Sequence, residues 1–310
     1  MSVDLPAQPP LRRARVRDDL TLGYWRVGEG GTPLLLIHGY PETKRIWLRN
    51  LEPLADAGFD VIAPDLRGVG DSDFAPDGFY DPPAYARDLH ALVHDVLGIA
   101  QCGTVSGDVG GAVAMDLSLR FAGFVSRQCI FNTLPPVLPE VYAAAGIPED
   151  PPRESLAQFD YFVRQGHDAD GLVVELATPE LRMDYVRGFY THRLLASPTA
   201  FTPAALDFLV EPFADAARLR AAMAVYELAA GKRELSELPR LMEVSPVPTL
   251  VLYGPLDAVV PPSFMDRMAV AMSDLAGPFV VEGSGHFVQW EAAPVLHSTL
   301  QAFFRDLLPA

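Results

Sequence analysis

The sequence predicts an α/β fold with a mostly parallel β-sheet, helices on both faces and an inserted helical cap. Short apolar runs alternate with amphipathic segments through residues 1–133, and the same alternation resumes over residues 247–310. Between them, residues 134–246 show helical patterns and several prolines but no convincing strand. Buried strands that alternate with helices are typical of a parallel sheet covered on both faces. We therefore predict a core made of the two outer segments and a cap made of the middle one.

Apolar runs bounded by turn clusters predict the strands of the core. In chain order these are LTLGYWRVG, LLLIHG, FDVIAPD, CGTVSG, VSRQCIFN, VPTLVLYG and PFVVEG. Helical spacing of apolar residues predicts the intervening helices, namely IWLRNLEPLADAG, AYARDLHALVHDVLG, VGGAVAMDLSLRFAG and SFMDRMAVAMSDL. A closing helix carries one apolar stripe, formed by Leu296, Leu300, Phe303, Phe304 and Leu307.

The net charge and the lengths of the apolar runs argue against several classes of protein. The formal net charge of −16 argues against nucleic acid as a partner, because a phosphate backbone binds basic patches. The N-terminus lacks the apolar centre of a signal peptide, and no apolar run is long enough to cross a membrane. We therefore expect a soluble cytoplasmic protein that binds neither nucleic acid nor a membrane. A homo-oligomer stays possible.

Two pairs of residues that are able to bind a metal are interpreted here as ordinary structural residues. Cys102 and Cys129 lie in apolar, strand-like surroundings and are too few for a disulfide framework, so we expect reduced core residues. His90 and His94 lie one helical turn apart, but no third ligand accompanies them. A solvated helix face is the simpler explanation, and we predict neither a metal nor a cofactor.

The stretch VSGDVGGAV, residues 105–113, has the pattern of a sharp strand-to-helix turn around one reactive position. Small residues, Ser106 and Gly110, stand two positions before and after Asp108, as such a turn requires. If the turn were centred on Ser106, the charged Asp108 would stand two positions later and would crowd the start of the helix. A glycine-rich helix start with Asp108 as its N-cap is the remaining alternative. We favour Asp108 as a nucleophile.

Two further residues follow later strands of the predicted sheet. Asp257 stands three residues past Gly254, just off the end of VPTLVLYG, and His286 comes just after PFVVEG. Polar residues at the ends of successive parallel strands meet at the sheet edge where ligands gather. The chain order of nucleophile, acid and histidine is that of α/β-hydrolases.

The segment HGYPET follows the first long buried strand. A glycine-containing turn there can direct the backbone N–H of Tyr40 at the space above Asp108. The N–H of Val109, which opens the next helix, would supply a second donor to an oxyanion hole. His38 is interpreted as a buried support for this loop and not as a catalyst.

The motifs HGYP, DLRGVGDSD, SGDVGG, GPLD and GSGHF together resemble the epoxide hydrolase and haloalkane dehalogenase branch of the α/β-hydrolase fold, over nearly the whole core. In that branch the elbow residue is an aspartate, and an alkyl-enzyme ester forms on it. The resemblance implies that Asp108 is the nucleophile, His286 the base and Asp257 its orienting acid. It also implies that Tyr40 and Val109 are the oxyanion donors, and that a small apolar epoxide-type molecule and water are the reactants.

An aspartate suits this chemistry for a physical reason. An sp³ carbon of an epoxide or alkyl halide needs an anion for in-line displacement, and a carboxylate is ionised at neutral pH. Water then attacks the carbonyl of the resulting ester, activated by His286, which Asp257 holds. The amides of Tyr40 and Val109 would stabilise the oxyanion of that second step.

The leaving group distinguishes the two substrate classes, because an epoxide oxygen needs a proton donor. Tyr226 stands where epoxide hydrolases carry their second cap tyrosine, although the arginine that usually follows is Glu227 here. The first tyrosine is assigned to Tyr161, with Phe159 competing for the same position in AQFDYFVRQG. For the other cap tyrosines, packing is the simpler interpretation.

The positions after the nucleophile argue against a halide. Haloalkane dehalogenases carry tryptophan directly after the nucleophile, where this chain has Val109. Fluoroacetate dehalogenases carry arginines at the positions of Val109 and Ala112, and their acid stands where this chain has Asn132. We predict an epoxide hydrolase. A hydrolytic dehalogenase of the same fold is the alternative, and an esterase or a non-catalytic binding protein of this fold are minor ones.

Overall fold

A computed structural model describes residues 5–151, 160–194 and 199–309, and it contains one eight-stranded sheet. The strands lie in the order β1-β2-β4-β3-β5-β6-β7-β8. Their bounds are β1 Arg12–Arg17, β2 Leu20–Val27, β3 Thr32–Ile37, β4 Phe59–Pro64, β5 Cys102–Gly107, β6 Val125–Phe131, β7 Thr249–Tyr253 and β8 Leu275–Val280.

Strands β3 to β8 pair in parallel with one another, whereas β2 runs antiparallel to both of its neighbours, β1 and β4. The prediction of a mostly parallel α/β sheet is therefore confirmed. Ile37 pairs with Ser106, so the loops that leave β3 and β5 emerge side by side. Phe131 pairs with both Gly107 and Leu252, which brings the ends of β6 and β7 to the same edge.

The described helices follow the predicted rhythm of strand and helix. Their bounds are α1 Leu51–Asp56, α2 Pro82–His90, α3 Asp108–Arg120, α4 Pro139–Ala144, α5 Asp160–Glu175, α6 Pro179–Gly188, α7 Pro203–Val210, α8 Ala216–Ala222, α9 Ala224–Ala229, α10 Ser263–Ala271, α11 Val288–Glu291 and α12 Ala293–Phe304. Helices α4 to α9 all fall between β6 and β7, and no strand of the described residues lies among them. We call this stretch the helical insertion. None of the described helices is long and apolar enough to cross a membrane.

Two helices differ from the prediction. The helix expected over IWLRNLEPLADAG is a 3₁₀ turn at Lys44–Trp47 followed by the separate helix α1. Pro53 explains the break, because proline lacks an N–H and is tolerated only in the first turn of a helix. At the C-terminus, α12 ends at Phe304, so Leu307 lies outside it and is exposed.

Strand β1, with the sequence RRARVR, was not predicted. Ala14 is buried against the sheet, while Arg12 pairs with Glu29 and Arg17 pairs with Asp77. An edge strand satisfies only one side of its backbone within the sheet and can carry charges on the other face. β8, the other edge strand, begins at Leu275, before the predicted PFVVEG.

Candidate active site

Asp108 sits in a strained turn between β5 and α3. Its φ angle is +48°, a conformation that non-glycine residues rarely adopt and that aspartate tolerates better than most. A side chain at Gly110 would collide with the carbonyl of Ile37, and one at Gly39 would lie 2.5 Å from the Asp108 Cβ. Ser106 lies one position before Gly107, fully buried in β5. The turn therefore presents Asp108, with its side chain 20% exposed, and not Ser106.

His286 lies between two carboxylates. Its Nε2 is 3.3 Å from Asp108 Oδ2, and its Nδ1 is 2.8 Å from Asp257 Oδ2. Asp257 is itself fixed, because its Oδ1 accepts hydrogen bonds from the backbone N–H groups of Val259 and Val260. The chain thus brings together the three residues predicted from the strand ends, in the geometry of a nucleophile, a histidine and an orienting acid.

The two carboxylates favour the protonated form of His286. Burial lowers the pKa of this imidazole, but the charges and hydrogen bonds of Asp257 and Asp108 raise it by more than burial lowers it, so the pKa lies well above 6.5.

The loop after β3 supplies the hydrogen-bond donor that the sequence predicts. The backbone N–H of Tyr40 donates to Asp108 Oδ1 at 2.6 Å. Val109 is the second residue of α3, so its N–H lies in the first turn, where backbone N–H groups have no partner within the helix. His38 supports the loop as expected, because the N–H of Leu66 donates to its Nε2 at 3.0 Å and its Nδ1 lies 3.0 Å from the carbonyl of Gly39.

A cavity of about 770 Å³ opens above Asp108. Its walls are mostly apolar and come from α3, the segment after β6, the helical insertion and the start of α10. The lining residues include Asp108, Val109, Ala112, Thr133, Leu134, Tyr161, Phe162, Val225 and Tyr226. Its size is that of a site for a small organic molecule.

Both tyrosines proposed as proton donors line this cavity. Tyr226 and Tyr161 are buried, and their ring centroids lie 5.7 Å apart with the rings nearly perpendicular. Burial, the neighbouring Tyr161 and the charge of Asp108 hold the pKa of Tyr226 well above 10, so its hydroxyl keeps its proton at neutral pH. Phe159, the alternative to Tyr161, lies outside the described residues.

The other tyrosines considered in the helical insertion have different contacts. Tyr142 and Tyr190 donate to the backbone carbonyls of Pro136 and Pro41, and Tyr185 accepts a hydrogen bond from Gln165. Their hydroxyl groups are engaged in holding the structure together, which fits the packing role expected for them.

Two residues of the site were missed by the sequence reasoning. The amide of Asn132 donates to Asp257 Oδ2 at 2.7 Å and exchanges hydrogen bonds with the backbone of Gly254, so it orients the acid. Glu42 is buried, and it accepts from the N–H of Gly39 and from Gln289. A charged residue inside the HGYPET turn was the available signal for Glu42, but only its burial in the fold distinguishes it from a turn former.

Burial raises the pKa of Glu42 to about 8, so it is mostly protonated at neutral pH. Because the folded-state pKa exceeds the unfolded one, the protein should lose stability as pH rises from about 4.5 through about 8. We expect Glu42→Gln to remove this loss, which is at most ~1.4 kcal/mol per pH unit. Gln289 can turn its amide to accommodate the change, since its Oε1 has no partner among the described residues. Urea unfolding of both proteins at pH 5 to 9 measures the difference, and parallel curves would contradict it.

The expectation that His90 and His94 have no third potential ligand beside them is wrong. Asp95 joins them, and the ligand atoms of the three residues lie within 4.8 Å of one another, a group in the described residues that could hold a metal ion. They lie on and just after α2, are not fully buried and do not line the cavity. Cys102 and Cys129 are buried and unbridged, as expected.

Comparison with known proteins finds a family model and relatives that match this chain. The family model described as alpha/beta hydrolase fold matches residues 32–293. A soluble epoxide hydrolase of Corynebacterium sp. (strain C12) is 40% identical over 105 residues, a match that spans 34% of this chain and only 36% of that relative. Epoxide hydrolase 3 of Mus musculus is 25% identical over 97% of this chain and 77% of its own length.

Among solved structures, the epoxide hydrolase CorEH without ligand superposes with a TM-score of 0.79 at 25% identity, covering 96% of this chain and 99% of that one. These matches confirm the resemblance to epoxide hydrolases that the motifs predicted. The family model covers most of the chain, and the mostly parallel eight-stranded sheet agrees with it. The chain belongs to the α/β-hydrolase fold family.

Proposed function

We propose that this protein is an epoxide hydrolase, which opens an epoxide to a vicinal diol through a covalent ester on Asp108. The observation that carries the proposal is the carboxylate at the strained turn, within reach of His286 and the Tyr40 N–H, beneath a cavity lined by two tyrosines. Epoxide hydrolases among the relatives, one of them similar over nearly the whole chain, support it.

In the first step, Asp108 attacks one epoxide carbon. The C–O bond to the ring oxygen breaks, and Tyr226 and Tyr161 donate to the oxygen that develops negative charge. A phenol that keeps its proton at neutral pH is suited to this role. The new hydroxyl group takes its proton from one of these two phenols, and solvent water returns a proton to the phenolate that this leaves. The product of the step is a neutral ester of Asp108.

In the second step, ester formation changes His286. Alkylation removes the negative charge of Asp108, one of the two groups that raise the pKa of His286. The imidazole therefore loses a proton more readily and becomes the base that activates water, while Asp257 holds it in place. Water adds to the ester carbonyl, the N–H groups of Tyr40 and Val109 stabilise the oxyanion, and the diol leaves.

We further propose that residues 134–246 form a cap domain on a core of residues 1–133 and 247–310. The lining of the cavity supports this division. Asp108 of the core forms its floor, and Tyr161 and Tyr226 of the cap line it as well. Substrate specificity would then be set by the cap, with a small apolar epoxide as the substrate.

Tyr226→Phe tests the choice of an epoxide over a halide. We expect alkylation of Asp108 to slow by roughly 10–100-fold, because the ring-opening step loses one of two proton donors, while hydrolysis of a preformed ester is unchanged. Rapid quenching followed by mass spectrometry of the protein measures each step. The double variant with Tyr161→Phe should lose more, and Tyr24→Phe on β2, remote from the cavity, is the control.

Two results would contradict the proposal. If Tyr226→Phe alkylates on an epoxide as fast as the wild type, Tyr226 only packs against its neighbours. If the wild type releases halide from a haloalkane and acts on no epoxide, the protein is a dehalogenase.

A further inference from the structure

Gln165 joins the helical insertion to the loop that carries the oxyanion donor. This residue of α5 is fully buried, and its Nε2 donates to two phenol oxygens, Tyr40 Oη and Tyr185 Oη, each at 2.7 Å. Tyr185 belongs to the insertion, whereas Tyr40 belongs to the loop after β3. One amide group thus connects an element of the proposed cap to the core.

Tyr40 reaches the chemistry through two other contacts. Its backbone N–H donates to Asp108 Oδ1 at 2.6 Å. Its ring meets the ring of Tyr226 edge-on, with centroids 4.8 Å apart. A displacement of Tyr40 therefore shifts the amide that faces Asp108, and it also changes the packing of Tyr226, a proposed proton donor.

The buried amide of Gln165 carries a cost in free energy, and this cost argues against a purely structural role. The carbonyl oxygen of Gln165, Oε1, is buried and has no hydrogen-bond partner among the described residues. A buried polar atom without a partner costs free energy, whereas an apolar side chain of similar size would fill the same space without that cost. Packing alone gives no reason to keep an amide at this position.

We propose that Gln165 is a positioning residue that holds the Tyr40 hydroxyl and thereby sets the Tyr40 backbone N–H against Asp108. The inference deepens the proposed function and rests on it. Gln165 makes no hydrogen bond to Asp108 or His286 in the described structure, so it acts through Tyr40. The oxyanion hole of the core is then completed by a side chain from the cap.

Three variants separate positioning from packing. Gln165→Met and Tyr40→Phe each remove the same hydrogen bond, whereas Tyr185→Phe removes the other bond of Gln165 and leaves Tyr40 held. We expect hydrolysis of the Asp108 ester to slow by ~10–100-fold in the first two, because a misplaced catalytic group costs that much. Their double variant should be no slower than the slower single variant, and Tyr185→Phe should hydrolyse the ester near the wild-type rate.

The backbone amide resonance of Tyr40 in ¹H–¹⁵N spectra of the free protein provides a readout that needs no substrate. We expect it to move upfield in Gln165→Met and Tyr40→Phe, as its hydrogen bond to Asp108 lengthens, and to stay in place in Tyr185→Phe. An unchanged resonance in the first two variants overturns the proposal. Equal losses of rate and melting temperature in all three also overturn it, because they indicate packing alone. If the wild type forms no ester with any epoxide, the proposed function fails, while the resonance still decides the role of Gln165.

Discussion

Asp108→Asn is expected to abolish epoxide turnover, by on the order of 10⁴–10⁶-fold, and to leave the fold intact. An amide oxygen lacks the negative charge that displacement at an sp³ carbon requires. Asparagine tolerates the φ of +48° at this turn, so the substitution removes chemistry without adding backbone strain. Diol formation measured over hours, with the intact mass of the protein followed to verify that the amide persists, gives the loss.

The control is Asp207→Asn, the same substitution on the surface helix α7, where Asp207 pairs only with Arg187 among the described residues. It should keep the wild-type rate. A single turnover of the wild type in ¹⁸O-labelled water supplies the direct test of the ester. The first diol should carry unlabelled oxygen from Asp108, and label in that diol would instead mean direct attack by water.

His286→Gln is expected to trap the protein as its alkyl ester. Asp108 needs no base to attack the epoxide, so ester formation should continue. Hydrolysis should slow by roughly 10²–10⁴-fold, because no base remains to activate water. Glutamine can still donate to Asp257, which limits the change to the acid–base function. Intact-protein mass spectrometry after addition of an epoxide should show a stable adduct, and peptide mapping should place it at Asp108.

His297→Gln on α12 provides the matched control, because His297 contacts Asn50 and does not line the cavity. It should turn over without accumulating adduct. If His286→Gln binds the epoxide but forms no adduct, the histidine acts in the first step and its assigned role is wrong. If adduct forms and disappears at the wild-type rate, another group activates the water.

The chemistry of the candidate site could be predicted because its residues follow strands. Asp108, Asp257 and His286 each come shortly after an apolar run that is recognisable in the sequence, and parallel strands carry their carboxyl ends to one edge. The glycines around Asp108 and after His38 likewise reveal a tight turn, since any side chain there would collide with its neighbours.

Roles that depend on a partner far along the chain were harder to predict from the sequence. Asn132 was noticed only as a departure from related enzymes, yet it lies against Asp257, 125 residues later. Gln165 and Tyr40 are likewise 125 residues apart, and nothing in the spacing around either residue indicates the other. Strand β1 was missed for a similar reason, because only its pairing with β2 reveals it as part of the sheet.

The sequence by itself determined the α/β architecture, the strained turn at Asp108 and the order of the candidate catalytic residues. Hydrophobic periodicity and turn glycines report on local backbone and on which face of an element is apolar, and these features need only neighbouring residues. Only the tertiary structure decided the directions in which the pKa values of Glu42 and His286 move, the approach of Tyr161 and Tyr226 to one cavity, and the contact of Gln165 with Tyr40. These depend on burial and on distances between side chains from separate elements, which packing of the whole chain sets.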